Sequence, residues 1–368
     1  MSSTSAPAET AGTSCETFGR TSSGEDVQRW LLSTPAGAEA AVLSLGGTLH
    51  SLRVPGAGGD VELVAGLPDV AAIEASGSFF GATVGRFANR IANARFSLGG
   101  VEHHIPSGDA EHALHGGAQG FDRKVWTVEP VPGEAAVRLR LTSPDGDMGF
   151  PGTLEVEVVY TLSDLPGGGG ELRIDYLATT DAPTPVSLTN HAYYNVDGVG
   201  SGTIEPHLLR LAASRYLPVG EGLIPTGELR PVAGTPFDFT EPRRIGERLR
   251  EADPQIVAAQ GYDHCWVLDA TFEAAPAEPA LVAEVTGTSG RVLQVLTDRP
   301  GMQFYSGNFL DGSDADAEGH TVRQSDTLCL ETQALPDAVN QPHFGDVVLQ
   351  PGQEWRSTTV MRVLPPRS

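Results

Sequence analysis

Cysteine, basic side chains and long apolar runs are all scarce in this chain of 368 residues. The three cysteines, Cys15, Cys265 and Cys329, form no spaced pair, so neither a disulfide framework nor a zinc knuckle is indicated. Lysine and arginine number 24 against 47 aspartates and glutamates, a net charge of −23. A chain this acidic repels phosphate backbones and anionic lipid heads, which makes nucleic acid and membrane surfaces poor partners. No run reaches the ~18 apolar residues of a membrane-spanning helix. The opening stretch Met1–Ser14 is small and polar, without the basic start or apolar core of a secretory leader. It reads as a disordered tail over 1–14 on a cytoplasmic protein, with 15–368 as a single domain.

Turn-forming residues are plentiful instead: 44 glycines and 27 prolines spread along the chain, a pattern of many turns between short elements. Between them, period-two alternation dominates. Val137, Leu139 and Leu141 alternate with Arg138 and Arg140, Leu154, Val156 and Val158 with Glu155 and Glu157, and Leu172, Ile174 and Tyr176 with Arg173 and Asp175. Each run puts apolar groups on one sheet face and charge on the other. Ala41–Leu45, Val292–Thr297 and Thr358–Leu364 are further strands, and Phe96–Leu98, Gly99-Gly100, Val101–Ile105 is a hairpin with a two-residue loop. Helical pattern is confined to Asp69–Ala75 and Arg243–Ala252. The Gly167–Gly170 run and Ala274–Pro279 are loops between strands. The fold class is all-β, a large antiparallel β-sandwich with few short helices.

Three polar clusters interrupt apolar surroundings. Glu331 follows Leu328-Cys329-Leu330, and a carboxylate at the end of a buried strand is costly unless it is paired or employed. A salt bridge to an arginine would satisfy it as well as a catalytic role. His191 closes Ser187-Leu188-Thr189-Asn190 and precedes Tyr193 and Tyr194, aromatics that suit sugar faces or a core equally. Asp263 lies between Tyr262 and His264. Spacing alone does not say that these groups meet. His103, His104, His112 and His115 crowd into thirteen positions, but no H-x-H with a downstream glutamate and no H-E-x-x-H occurs, so a metal site is not indicated.

Seven motifs in order carry a resemblance. Gly85-Arg86-Phe87-Ala88-Asn89-Arg90-Ile91-Ala92 is the first. Leu114-His115-Gly116-Gly117 follows, with Gly120-Phe121-Asp122 and Trp126. Next come Ser143-Pro144-Asp145-Gly146 with Gly149-Phe150-Pro151-Gly152, then Thr189-Asn190-His191 with Tyr194-Asn195 and Gly198. Gly261-Tyr262-Asp263-His264, Gln303 with Ser306-Gly307-Asn308, and Glu331-Thr332-Gln333 complete the set. From about Thr17 to Leu364 the chain resembles the aldose 1-epimerases, also called galactose mutarotases. The resemblance implies that family's antiparallel β-sandwich and the interconversion of α and β anomers of free aldohexoses such as galactose and glucose. Glu331 matches the family's catalytic base and His191 its general acid. Asn89, Arg90, His115, Asp263 and Gln303 match positions that contact sugar hydroxyls or the ring oxygen. It also leans toward a monomer or weak homodimer. Two departures border the base. Val339 stands in Pro336-Asp337-Ala338-Val339-Asn340 where the family usually has proline, and Ser325-Asp326 stands where a glycine and an apolar residue are common.

The chemistry suits those residue types. Opening a cyclic hemiacetal removes a proton from the C1 hydroxyl and delivers one to the ring oxygen, which one carboxylate and one imidazole can do. Glu331 is expected to start ionised and His191 protonated, with Asp263 and Glu331 favouring the imidazolium. No metal or organic cofactor is required, because no carbon changes oxidation state overall. Three alternatives differ in what they would need. An epimerase of hexose 6-phosphates wants an extra cationic rim, for which Arg215, Arg243 and Arg244 are candidates. A non-catalytic sugar-binding sandwich could dispense with the acid–base pair, and a cupin-type isomerase needs a bound metal.

Overall fold

Long strands form where the alternation is cleanest. In a computed structural model, which describes residues 12–56, 58–108, 110–274 and 276–366, Leu154–Asp164 and Gly170–Thr180 pair antiparallel from Leu154 opposite Thr180 to Asp164 opposite Gly170. They sit in a nine-stranded sheet that runs Thr127–Pro130, Ala136–Ser143, Leu154–Asp164, Gly170–Thr180, Trp355–Leu364, Val292–Thr297, Ala280–Thr286, Leu208–Leu211, Arg243–Arg244. Leu154, Val156, Val158, Tyr160 and Leu162 are buried on one face. On the other, Glu157 reaches Arg138 and Arg140, each at 3.1 Å, surface pairs that add little stability singly.

A second antiparallel sheet takes the order Arg230–Pro231, Arg215–Tyr216, Asp263–Val267, Gly301–Tyr305, Cys329–Gln333. Its last three strands are buried at every position, so both faces are covered and each face has its own task. A third, five-stranded meander comprises Gly12–Arg20, Asp26–Ser33, Glu39–Leu43, Thr48–Val54 and Val61–Glu62. One hydrophobic cluster joins Val158 and Ile174 of the first sheet, Trp266, Phe304 and Leu330 of the second, and Val42 and Leu49 of the third. Burial on this scale, at about 25 cal/mol per Å² of apolar surface, is the dominant force holding the sheets face to face.

The hairpin across Gly99-Gly100 forms, with Leu98 opposite Val101. Val70–Ala75 is a helix, capped by the Asp69 carboxylate accepting from the Ala72 N–H at 2.8 Å. Two boundaries differ from expectation. The first strand begins at Gly12, inside the segment assigned to the tail, and residues 1–11 lie outside the described ones. The helix expected over Arg243–Ala252 does not form. Arg243 and Arg244 pair with Leu209 and Leu208 at the sheet edge, and only a 3₁₀ turn follows over Ile245–Glu247. Gly246, a poor helix residue, packs where an added Cβ would meet the Glu205 Cβ at 2.7 Å. The second helix is instead Pro254–Ala259, with Asp253 as N-cap and Pro254 in its first turn, a start signal the sequence carries. No helix among the described residues is long and apolar enough to cross a membrane.

Candidate active site

The fully buried sheet divides its labour by strand parity. Asp263 pairs with Tyr305, Cys265 with Gln303, and Gln303 with Glu331. These residues share one face, while His264, Trp266, Met302, Phe304 and Leu330 alternate onto the other, the core face. A carboxylate two residues from Cys329 and one from Leu330 is thereby aimed away from the sandwich interior.

Two loops close over this face. Arg90-Ile91 pairs with Leu114 and Ala113, and Asn89 and His115 lie just beyond, both with positive φ, 64° and 52°. The Asn89 N–H donates to His115 Nδ1 at 3.2 Å, and the His115 N–H donates to the Asn89 carbonyl at 3.0 Å. Gly116 follows at φ 93°, where a Cβ would sit 1.9 Å from the Gly85 carbonyl oxygen, so only glycine lets the loops approach this closely. On the other side Thr189-Asn190 pairs with Val84 and Thr83. Asn190 donates to the Gly81 carbonyl at 2.7 Å and the His191 N–H to the Ala82 carbonyl at 2.9 Å.

The result is an open cleft lined by Asn89, Arg90, His115, His191, Asp263 and Glu331 together with aromatics. Near its base His191 Nε2 is 3.7 Å from Glu331 Oε1. Arg90 donates to one oxygen of Asp263 at 3.3 Å and the Gln303 amide donates to the other at 2.7 Å. Glu331 Oε2 and Gln303 Oε1 are buried without a hydrogen-bond partner. Of the seven residues singled out in the sequence, six line the cleft. Gln303 lies behind, its amide spent on Asp263.

Burial dominates the electrostatics. It pushes the Glu331 carboxyl well above the usual carboxylate range, with the Asp263 charge adding to the rise and Arg90 opposing it. It lowers His191 to about 4, against a smaller rise from a backbone hydrogen bond and Asp263, and holds His115 well below the usual histidine range, with His191 and Arg90 lowering it further. Both shifts run against the expected pairing of a carboxylate with an imidazolium: desolvation favours the neutral form of each group over the pull of the neighbouring carboxylates.

His115, His191 and Glu331 place one potential ligand atom each within 4.8 Å of one another, a closeness the histidine spacing did not suggest. The set is not arranged for a metal. Because His115 Nδ1 accepts from the Asn89 N–H, the neutral ring carries its proton on Nε2 and offers the cleft a donor, whereas a metal needs a lone pair there.

The aromatic lining was the part least legible in the sequence. Phe79, itself at φ 56°, packs on His115 and His191 at 4.7 and 5.9 Å between ring centroids. Tyr305 stacks on Phe309 at 6.1 Å. Of the two tyrosines after His191, Tyr193 lines the cleft and Tyr194 enters the core. Three of the four crowded histidines are accounted for elsewhere: His103 stacks on Phe96, His104 meets Glu102 at 2.9 Å and His112 accepts from the Asn93 N–H. His264 is packed against Phe237 at 4.6 Å. Arg215 lies over Phe272 and Arg243 meets Glu247. Among the described residues, Arg90 is the only arginine or lysine lining the cleft.

The two departures near the base fall in turns. Ser325 takes φ 64°, a conformation that favours glycine, and the Asp326 carboxylate accepts from the Arg323 N–H at 2.8 Å. Asp337, in the turn containing Val339, accepts from the Ala92 N–H at 3.0 Å while its own N–H donates to the Arg90 carbonyl at 2.9 Å. That turn buttresses the arginine loop.

Comparison with known proteins agrees with this architecture. The profile of the aldose 1-epimerase family matches residues 28–362. The galactose mutarotase of Homo sapiens is 41% identical over 320 residues, covering 86% of this chain and 89% of the relative. The aldose 1-epimerase of Escherichia coli (strain K12) is 37% identical over 341 residues, 91% and 95% of the two chains. The crystal structure of galactose 1-epimerase from Lactobacillus acidophilus NCFM superposes with a TM-score of 0.83 at 27% identity, covering 97% of this chain and all of that one.

Proposed function

The chain belongs to the aldose 1-epimerase family and interconverts the α and β anomers of aldoses, and on that premise we propose that Glu331 and His191 exchange the protons of ring opening. The observation that carries the assignment is the 3.7 Å between His191 Nε2 and Glu331 Oε1 at the base of the cleft. O1 and O5 of a cyclic aldose are bonded to the same carbon, so the groups that serve them must lie within a few ångströms of each other.

In the reactive arrangement the C1 hydroxyl donates to Glu331 and the ring oxygen accepts from His191. These bonds favour the carboxylate and the imidazolium, offsetting the cost of burial. Glu331 then takes the O1 proton as C1=O1 forms and C1–O5 breaks, and O5 takes the proton from His191 Nε2. Opening leaves a protonated carboxyl and a neutral imidazole, the pair that burial prefers. The open-chain aldehyde is thus flanked by the low-charge form of the site, and rotation about C1–C2 followed by the reverse transfers closes the other anomer. Asn89, His115, Arg90 and Asp263 hold the remaining hydroxyls, and Gln303 acts by orienting Asp263.

Galactose, named for the human relative and for the Lactobacillus acidophilus structure, and glucose are the substrates we propose. Arg90 is already engaged by Asp263, so a hexose phosphate finds no free cation among the described lining residues. Polarimetry on freshly dissolved α-D-galactose, α-D-glucose and α-D-glucose 6-phosphate tests this. Acceleration of the optical change on the free sugars well above that on the phosphate is expected. A preference for the phosphate, or no acceleration on either free hexose over buffer, would contradict it.

A further inference from the structure

The general-acid role proposed for His191 leaves its second ring nitrogen to be explained. Cys329 and Glu331 are two residues apart on one strand, so their side chains emerge on the same face about 6.8 Å apart along it. His191 is spanned by that pair, with Nδ1 3.5 Å from Cys329 Sγ and Nε2 3.7 Å from Glu331 Oε1. We propose that Cys329 is a positioning residue whose sulfur accepts a hydrogen bond from His191 Nδ1–H, keeping Nε2 as the nitrogen that gains and loses the proton during mutarotation.

The alternative direction, S–H donating to Nδ1, fails on proton balance. It would put the neutral ring's proton on Nε2. Nε2 could then release a proton only by becoming an imidazolate, and could not take one from the protonated Glu331. With Nδ1 permanently protonated, Nε2 cycles between N–H and lone pair. One proton then passes from Nε2 to O5 on opening, while O1–H passes its proton to Glu331; closure returns both. A thiol suits this place. Its sulfur is a weak acceptor, so it orients the ring without the strong stabilisation of the imidazolium that a carboxylate partner would bring. Burial holds the Cys329 thiol well above the usual thiol range, so it remains uncharged. His115 forms the contrast within the same cleft: its Nδ1 faces a backbone donor, which fixes the opposite tautomer and makes it a hydrogen-bond donor to substrate.

This inference rests on the acid–base reading of His191, and the experiment separates the two. Long-range proton–nitrogen NMR of the histidine-labelled enzyme without sugar at neutral pH should show His191 protonated at Nδ1 and bare at Nε2. A protonated Nε2 with bare Nδ1 would overturn the proposal whatever the activity of any variant. In Cys329→Ala the tautomer should become mixed, with kcat lowered about tenfold and KM within twofold, and Cys329→Ser should restore most of kcat. An unchanged tautomer and unchanged kcat in Cys329→Ala would also overturn it. If that variant does not fold, the wild-type spectrum still decides. Full activity in a folded His191→Gln variant would remove the underlying acid–base reading while leaving the tautomer result intact.

Discussion

Glu331 is 2% exposed and His191 5%, and burying two ionisable groups side by side has a thermodynamic cost that can be measured. Because the folded-state value of Glu331 is raised, the unfolded chain releases this proton first. Its contribution to stability falls as pH rises from the ordinary carboxyl value toward the raised one. His191 is lowered to about 4, so the unfolded chain binds a proton that the native one does not, and stability falls as pH drops from about 6.5 toward 4. Glu331→Gln, which cannot ionise, should raise stability at pH 7 by on the order of 1–2 kcal/mol and should flatten the loss on the alkaline side. Urea melts of both proteins at pH 5 and 7 check this, and a variant less stable than wild type at pH 7 would count against the raised carboxyl. Glu331 was legible in the sequence because a carboxylate after an apolar run demands a reason, although the strand continues past it to Gln333. Gln303 was legible as a site residue, but its place behind Asp263 depends on which rows of the sheet are neighbours, and strand register is not written in spacing.

At the scale of elements, the motif Gly85–Ala92 turns out to do two jobs. Arg90 lines the cleft, whereas Arg86 is 2% exposed and anchors a loop. It donates to Ser143 Oγ at 2.9 Å, to the Ser143 and Pro144 carbonyls at 2.8 Å each, and to the Pro151 carbonyl at 3.0 Å. Those acceptors are the mid-chain loop that the sequence marked as a separate motif, so two motifs prove to be halves of one structural joint. Burial lowers Arg86 to about 10, opposed by the charges of Asp147 and Asp145. Arg86→Met leaves these carbonyls without their donor and should cost about 3–5 kcal/mol, read as a shift in the urea midpoint. A loss under 1 kcal/mol would show the joint to be incidental. The same lesson applies to helices: Asp253-Pro254 carries the start signal of the second helix, whereas over Arg243–Ala252 the sheet edge takes Arg243-Arg244 and only a 3₁₀ turn follows at Ile245–Glu247.

For the whole molecule, period-two alternation was enough to read an antiparallel sandwich, because one face of each long strand meets the core and the other meets solvent. The fully buried sheet was harder. Asp263–Val267 and Cys329–Gln333 are covered on both faces, so they do not alternate in polarity, and their chemistry stood out only as polar residues in apolar company. Since a single cluster links all three large sheets, we propose that they unfold as one cooperative unit. Scanning calorimetry should show one transition with equal calorimetric and van't Hoff enthalpies, and two resolved transitions would divide the chain into independent domains.

The central claim concerns the proton shared by Glu331 and His191, and polarimetric kcat/KM on α-D-galactose across pH, for wild type and Glu331→Gln, tests it most directly. The pair holds one proton from about pH 4, where His191 takes a second, up to the raised value of Glu331, where the last is lost. Wild type should therefore give a bell with its acid limb near pH 4 and its alkaline limb above the ordinary carboxyl range, and Glu331→Gln should lose about 10²–10⁴-fold at the plateau. A flat profile from pH 4 to 9, or a variant as active as wild type, would contradict the account.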